Sequence, residues 1–237
     1  MALLSALDKL IALTQDECKH WSQMILSNQS LWRRRIRGID YYSLGLSYDV
    51  IPRYGGFNQD WKNAVLQNNK VMCHKFASLY KKVSKQFENF FGKPISLTNR
   101  LAVPGFNIFG PKPGIKPAFF NSVFYEYGGN IHNHSTPDWM HKALDRPKKE
   151  VPLFIYSFTI PLRMPGFGSG LNFWESKDIS GPPSFLRYSE GKAYGFAGNV
   201  MHQVPPICSC QKMALDDYRI TMQNHFLELE ERVIMFL

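Results

Sequence analysis

Two histidines separated by one residue suggest a metal site. In Ile131-His132-Asn133-His134 the imidazoles stand at positions i and i+2, which point to the same side when the backbone is a β-strand. Neutral imidazole is a common metal ligand, so two convergent rings indicate metal binding. A third histidine, His202, follows 202 − 132 = 70 residues later on another predicted strand. The alternatives are incidental histidines in a surface loop and histidines hydrogen-bonded within a core.

A carboxylate also follows the pair, at Asp138. Small non-haem iron sites use two histidines and a carboxylate on one face of the metal, which leaves open positions for oxygen and a chelating co-substrate. His134 is favoured as the third ligand by strand geometry, because Pro137 keeps Thr136 extended and hinders the return of Asp138. Asp138 is the alternative third ligand, although it also suits the N-cap of a following helix.

An arginine near the C-terminal end of the sequence could bind a carboxylate. Arg219 lies 219 − 202 = 17 residues after His202, in a run rich in strand-forming residues. A buried guanidinium keeps its charge and pairs with a carboxylate through two parallel hydrogen bonds. Thr221, Gln223 and His225 alternate with Arg219, so they would share its strand face and could line the same pocket. The alternative is an ordinary exposed strand arginine.

The elements that must position these residues fall into a helical part and a β-rich part. Residues 1–30 are predicted as two helices, the second starting at a capping box formed by Thr14 and Glu17, and a long amphipathic helix is predicted over 61–91. After Pro94, short β-rich runs alternate with glycine and proline. The predicted strands are 97–103, 106–109, 119–127, 154–161, 170–174, 193–196 and 218–225. This pattern favours an α+β fold, a jelly roll or sandwich with helices packed on its outside.

The size of the chain favours one domain. With 237 residues, of which 44% are hydrophobic, it could build one large core, so we expect a single domain over 1–237. Within it, 1–95 would be a mainly helical flank and 96–237 the jelly-roll core that carries the metal site. No apolar run approaches the roughly 20 residues needed to cross a bilayer, and no secretory signal is apparent, so cytoplasmic residence without membrane contact is expected.

Cysteine usage and charge restrict the possible partners. The four cysteines are scattered, and their spacing predicts reduced thiols rather than a zinc site: Cys18, Cys73, Cys208 and Cys210. The net charge is +9, and the densest basic run is 32–37. Without a nucleic-acid-binding signature, a solvated basic face is favoured over a nucleic-acid surface. A cationic rim that attracts an anionic small molecule would use the same residues.

Taken in order, the motifs resemble those of the 2-oxoglutarate- and Fe(II)-dependent oxygenases over roughly residues 40–230. The motifs that carry the resemblance are Tyr41-Tyr42-Ser43-Leu44-Gly45, Pro104-Gly105-Phe106-Asn107-Ile108-Phe109, Ile131-His132-Asn133-His134, Gly168-Ser169-Gly170-Leu171-Asn172-Phe173-Trp174, Gly198-Asn199-Val200-Met201-His202-Gln203 and Arg219-Ile220-Thr221-Met222-Gln223. The fold that this resemblance implies is the double-stranded β-helix, a form of jelly roll. The oligomeric state does not follow from it.

The resemblance also implies roles for individual residues. His132 and His202 would be the proximal and distal iron ligands, Arg219 would bind the far carboxylate of 2-oxoglutarate, and Thr221 would donate a hydrogen bond to that carboxylate. Fe(II), 2-oxoglutarate and O2 would oxidise a small-molecule substrate, usually by hydroxylation, with release of succinate and CO2. Further residues are expected to contact the substrate: Trp139, Phe173, Gln223 and His225.

One position departs from the family pattern, which has HxD or HxE where this chain has His134. His134 ligates in one interpretation, and Asp138 replaces it in another. A vacant, halide-binding position fits least, because histidine is bulky. Loss of the carboxylate removes one negative charge from the metal's ligands and should weaken Fe(II) retention. Two other functions therefore stay open: a three-histidine, cupin-like dioxygenase that does not use 2-oxoglutarate, and a non-catalytic jelly-roll ligand-binding module.

Overall fold

The computed structural model describes residues 10, 12–35, 40–47, 51, 54–110, 131–134, 136–153, 155–165, 170–174, 178–205 and 218–237. The start of the helix predicted over 1–30, the strand predicted over 119–127, and the pair Cys208 and Cys210 lie outside these residues.

The predicted helices that fall within the described residues are present, and their ends differ from the expected ones by at most three residues. Helix α1 (Gln15–Ser27) starts at the predicted capping box, in which the N–H of Glu17 donates to Oγ1 of Thr14 and the N–H of Thr14 donates to Oε2 of Glu17. Helix α2 (Gln59–Phe91) confirms the long helix and ends at Gly92, whose φ of 65° favours glycine. A short helix α3 (Met140–Leu144) and two 3-10 turns (Gln29–Leu31 and Lys148–Glu150) complete the described helices.

The strands form one large and one small sheet, and nearly all neighbours are antiparallel. The strands are β1 (Arg33–Arg34), β2 (Tyr41–Leu44), β3 (Ile95–Ser96), β4 (Gly105–Phe109), β5 (Tyr156–Arg163), β6 (Gly170–Trp174), β7 (Ser184–Arg187), β8 (Tyr194–Ala197), β9 (Met201–Gln203), β10 (Arg219–Glu228) and β11 (Val233–Phe236). The large sheet has the order β1-β2-β4-β10-β11-β3, with β5 on the other edge of β10 and β8 beyond β5. The small sheet has the order β7-β6-β9, and among the strands that the structure describes only β3 and β11 pair in parallel.

The chain passes back and forth between the two sheets. It runs from β4 in the large sheet to His132, which bridges to β9 of the small sheet, and returns to β5. Strands β6 and β7 follow in the small sheet, β8 in the large, β9 in the small and β10 in the large. The central strand β10 therefore lies between β4, the first strand of this series, and β5, the third.

The two faces of the large sheet differ in what covers them. The outer face shares one hydrophobic core with α1 and α2, in which Ile25 and Phe76 meet Ile220 and Met222 of β10. Burial of such side chains stabilises the helix–sheet contact by about 1.5–3 kcal/mol each. The inner face, which carries Arg219, turns toward the small sheet.

Some strand predictions need correction. The run 97–103 is not a strand; its backbone is held instead by Asn69, which donates to the carbonyls of Thr98 and Leu101 and accepts from the N–H of Val103. Strand β9 carries His202, which was expected on a strand, but its bounds were not predicted. The short strands β1, β3, β7 and β11 were not predicted at all, because single strands of two to four residues carry little periodicity. Among the described helices, none is long and apolar enough to cross a membrane.

Candidate metal centre

His132 and His202 lie directly opposite each other. The N–H of each donates to the carbonyl of the other, over 3.0 Å and 2.9 Å, and their ring centroids are 4.3 Å apart. Residues paired in this way project their side chains to the same face. Main-chain hydrogen bonds thus hold side by side two residues that are 202 − 132 = 70 positions apart in the sequence.

His134 joins this pair from the adjoining backbone. Its N–H donates to the carbonyl of Gly198 over 2.7 Å, and its ring lies 5.0 Å from that of His132 and 4.9 Å from that of His202. A side chain at Gly198 would meet the carbonyl oxygen of His134 at 2.1 Å, so the close approach requires glycine. One nitrogen from each of the three histidines lies within 4.8 Å of the others. The three residues predicted as ligands are brought together.

The hydrogen bonding of His202 leaves a ring nitrogen for a metal. Nδ1 of His202 lies 3.0 Å from the carbonyl oxygen of Val200, which only accepts, so Nδ1 carries the proton and Nε2 keeps its lone pair. Burial lowers the pKa of His202 to about 3, and burial together with the neighbouring histidines holds the pKa of His134 well below its usual range. His132 is exposed, so the group is accessible from outside. Neutral, convergent imidazoles suit a first-row divalent metal.

A fourth histidine lies against the group. The ring of His225 is fully buried, 4.6 Å from that of His134 and 5.6 Å from that of Phe236. Its Nδ1 is 2.9 Å from Oγ of Ser157, and burial lowers the pKa of His225 to about 3. His225 was predicted to contact the substrate; the structure places it beside His134.

The alternative ligand, Asp138, lies elsewhere. Its side chain is 90% exposed and pairs with Nζ of Lys148 at 2.8 Å, which lowers the pKa of the carboxyl group. Among the residues that the structure describes, the metal-binding group contains the three histidines and not Asp138. Its neighbour Trp139, predicted to contact substrate, stacks on Phe57 with ring centroids 5.4 Å apart and packs between two apolar clusters.

Arg219 is a buried cation. It is 2% exposed, lies 5.5 Å from the ring of Phe109 and 5.6 Å from that of Tyr188, and donates through Nη2 to the carbonyl of Gly170 over 3.0 Å. That bond joins β10 to β6 of the small sheet. Within the described part of the chain, Nε and Nη1 have no hydrogen-bond partner and no carboxylate pairs with the guanidinium. Since a buried charge is costly unless paired, an anion in this interior would compensate the guanidinium.

Polar side chains continue from Arg219 along the inner face of β10. Thr221 is buried, and Gln223 accepts a hydrogen bond of 2.5 Å from Nδ2 of Asn107 on β4. The hydroxyl of Tyr41 on β2 donates to Oδ1 of the same asparagine over 3.1 Å. Tyr41 and Asn107 belong to the motifs named above but were not predicted as site residues. Strand alternation over 105–109 could have indicated the side-chain direction of Asn107, whereas its register with β10 has no signal in the sequence.

Phe173 lies in the row that contains two of the histidines. It is directly opposite His202 in the pairing of β6 with β9, and His202 is opposite His132. These three side chains therefore share one face of the small sheet, with the half-buried phenyl ring next to His202. That placement suits the substrate contact predicted for Phe173.

The chain is similar to known proteins by structure but not by sequence. No known protein family and no curated protein matches the chain by sequence. By structure it is similar to a prolyl-4-hydroxylase from Pseudomonas putida, with 12% identity, a TM-score of 0.43, and coverage of 94% of this chain and 91% of the other. An N-substituted L-amino acid dioxygenase from Burkholderia ambifaria AMMD has 11% identity and a TM-score of 0.47, covering 84% and 86%.

A third solved structure is an oxidoreductase of the 2OG-Fe(II) oxygenase family from Burkholderia pseudomallei, with 11% identity, a TM-score of 0.45, and coverage of 94% and 83%. The first of these three structures is a hydroxylase by name, and the other two are oxygenases by name. Identities of 12% or less and TM-scores below 0.5 assign no function to this chain.

Proposed function

We propose that the protein is an Fe(II)- and 2-oxoglutarate-dependent oxygenase that oxidises a small molecule, most simply by hydroxylation, and releases succinate and CO2. One observation carries the proposal: three convergent histidines and a buried arginine without an acidic partner among the described residues occupy the same interior between the two sheets. A metal site alone would not require the arginine. A chelating dicarboxylate accounts for both, since one end binds the metal and the other pairs with the guanidinium.

The strand order supports a double-stranded β-helix for this fold. The eight β segments can be numbered along the chain from β4 as 1, through His132 as 2, to β10 as 8. In this numbering the large sheet has the order 1-8-3-6 and the small sheet the order 2-7-4-5. This alternation of antiparallel strands between two facing sheets is that of a jelly roll. Because α1 and α2 share one core with the large sheet, we also propose that helices and sheets belong to a single domain.

The residues of the site divide the work of binding. His132, His134 and His202 would hold Fe(II), which when bound activates O2 for oxidation of the co-substrate and then of the substrate. Arg219 would hold the far carboxylate of 2-oxoglutarate, with the hydroxyl of Thr221 two residues further on the same face. Gln223 and Phe173 would line the space left for substrate. Burial of Arg219 excludes water from the carboxylate and so strengthens the ion pair.

The rival functions differ in what they leave unexplained. A three-histidine, cupin-like dioxygenase that works without 2-oxoglutarate has no use for the guanidinium of Arg219. A non-catalytic binding module would use Arg219 but would need no metal with open positions. Iron content and succinate production distinguish all three.

The decisive experiment measures 2-oxoglutarate consumption and succinate release by the Fe(II)-loaded protein in the presence of O2. Arg219→Ala should weaken 2-oxoglutarate binding by about 1.5–3 kcal/mol, the usual value of a hydrogen bond to a charged group. Arg219→Lys should recover only part of it, because an ammonium cannot reproduce the two-pronged pairing. Arg232→Ala, which removes a half-exposed arginine, is the matched control. Wild-type turnover with an unchanged Michaelis constant in Arg219→Ala would refute the assignment.

A further inference from the structure

Two arginines stand at the edge of the same inner face that carries Arg219. Arg33 of β1 is in register with Ser43 of β2, Ser43 with Asn107 of β4, and Asn107 with Thr221 of β10. Side chains directly opposite one another project to the same face, so Arg33 points to the face of Thr221.

Arg35 extends the neighbouring row. Its N–H donates to the carbonyl of Tyr41 over 2.9 Å, and Tyr41 is in register with Phe109 and Phe109 with Arg219. The guanidinium of Arg35 lies 5.7 Å from the ring of Tyr41, which is stacked on Phe109 at 4.3 Å with an interplanar angle of 5°. Arg219 lies 5.5 Å from the other end of this aromatic pair. The stacked rings of Tyr41 and Phe109 thus lie between the guanidinium group of Arg219 and that of Arg35.

Arg34 stands between these two residues and serves a different purpose. It is in register with Tyr42, whose hydroxyl accepts a hydrogen bond of 2.8 Å from Nη2 of Arg34. The same guanidinium lies 3.4 Å from Oδ1 of Asp40. Asp40 is therefore engaged with both Arg34 and Tyr42. No ion pair joins Arg33 to a carboxylate among the residues that the structure describes.

A small cavity lies at this edge. It has a volume of about 140 Å³ and is lined by Arg33, Arg34, Arg35, Ser43, Gly45, Leu46, Ser47 and Tyr54. A water molecule occupies about 30 Å³ in the liquid, so the cavity has room for one carboxylate or phosphate group. Guanidinium groups and hydroxyls are the donors that such an anion takes.

We propose that this arginine-lined cavity binds the anionic group, a carboxylate or a phosphate, at the far end of the substrate. The assignment of the ligand as substrate rests on the proposed function; the anion site itself does not. Three strand spacings separate Arg33 from Thr221, which amounts to about 14 Å. The substrate is accordingly an elongated anion, with its charged end at β1 and the carbon to be oxidised near the histidines.

The test titrates inorganic phosphate and acetate into Arg219→Met, a background in which the interior arginine no longer competes for anions. Phosphate or acetate should still bind to this variant, and its affinity should fall about tenfold when Arg33→Gln and Arg35→Gln are added. Lys81→Gln and Lys85→Gln in the same background together remove the same charge from exposed sites on α2 and should leave binding unchanged. Tighter binding of phosphate than acetate identifies a phosphate ester, and the reverse order a carboxylate.

Two results would overturn the proposal: no anion binding in Arg219→Met, or equal binding with and without Arg33 and Arg35. Binding of 2-oxoglutarate to the Mn(II)-loaded protein carrying Arg33→Gln and Arg35→Gln is measured in parallel and should match wild type. If wild type neither binds nor turns over 2-oxoglutarate while the arginine-dependent phosphate or acetate binding persists, the oxygenase function fails and the anion site stands.

Discussion

His132 and His202 exchange backbone hydrogen bonds of 3.0 Å and 2.9 Å, so their imidazoles start from adjacent, fixed points of the main chain. A ligand pair fixed by main-chain bonds needs little reorganisation when a metal enters. Rigid support of this kind is what a binding site requires for precise geometry.

Removal of either histidine should therefore abolish metal binding without unfolding the protein. We expect His132→Ala and His202→Ala each to lose stoichiometric binding of Fe(II) or Mn(II) in titration calorimetry under argon, because two imidazoles cannot hold the ion alone. Circular dichroism should show the wild-type fold, since the backbone pairing does not involve the rings. His20→Ala, an exposed histidine on α1, is the control. Wild-type affinity in both variants would remove the site.

The departure from the HxD pattern gives a second prediction. The ring of His134 is buried beside His202 and the carboxylate of Asp138 is at the surface with Lys148. His134→Ala should lose the metal, and Asp138→Ala should bind it almost normally. His134→Asp should tighten Fe(II) binding through the added negative charge and keep or raise succinate formation without substrate. The opposite order, with iron lost only in Asp138→Ala, would show that the carboxylate moved along the chain.

The sequence predicted the elements better than their contacts. Helix α2 and strand β6 follow from local periodicity and punctuation, so both could be predicted to within two residues. The convergence of His132 and His134 follows from their spacing. That Tyr41, Asn107 and Gln223 form one hydrogen-bonded chain could not be predicted, because it depends on the registers of three strands far apart in sequence.

The surroundings of Asn69 show why a strand was wrongly expected. The run 97–103 is apolar enough for a strand, but a single buried amide on α2 supplies the hydrogen bonds that a neighbouring strand would give. Tertiary context of this kind leaves no periodic signal. The same limit applies to Arg219: its type suggests a carboxylate partner, but only the structure shows the guanidinium buried against Gly170 and two aromatic rings.

Burial of Arg219 should cost stability in the absence of ligand. Replacement by an apolar side chain of similar length removes from the interior a charge that has no acidic partner among the described residues. Replacing buried ionic groups by apolar side chains is often neutral or stabilising, by about 1–4 kcal/mol. We expect Arg219→Met to raise the unfolding free energy of the metal-free protein while it abolishes 2-oxoglutarate binding. Urea denaturation of both proteins measures the first effect and calorimetry the second.

A decrease in stability with 2-oxoglutarate binding intact would contradict this expectation. Arg232→Met is the control, because its side chain is about half exposed and its charge is hydrated in both the folded and unfolded states. That variant should change the unfolding free energy by no more than about 0.5 kcal/mol.

The buried histidines should make the metal-free protein sensitive to acid. Burial lowers the pKa of both His202 and His225 to about 3, whereas the unfolded chain titrates near 6.5. Between these values the unfolded state binds more protons than the folded state. The free energy of unfolding therefore falls as the pH falls from 6.5 towards 3, by up to about 1.4 kcal/mol per pH unit for each histidine.

Titration between pH 6.5 and 5 isolates this effect from that of most carboxylates, which protonate below it. His134, Ser157 and Phe236 lie against His225. His132 and His202 also lower its pKa, and none of these five residues is an acid. Replacing His225 by glutamine should reduce the slope of unfolding free energy against pH by up to about 1.4 kcal/mol per unit, because one titrating group is lost. Urea denaturation of the metal-free proteins at pH 6.5, 6.0, 5.5 and 5.0, about half a unit apart, measures the slope. An identical slope in His225→Gln would show that this imidazole binds protons equally in the folded and unfolded states, so that burial does not lower its pKa.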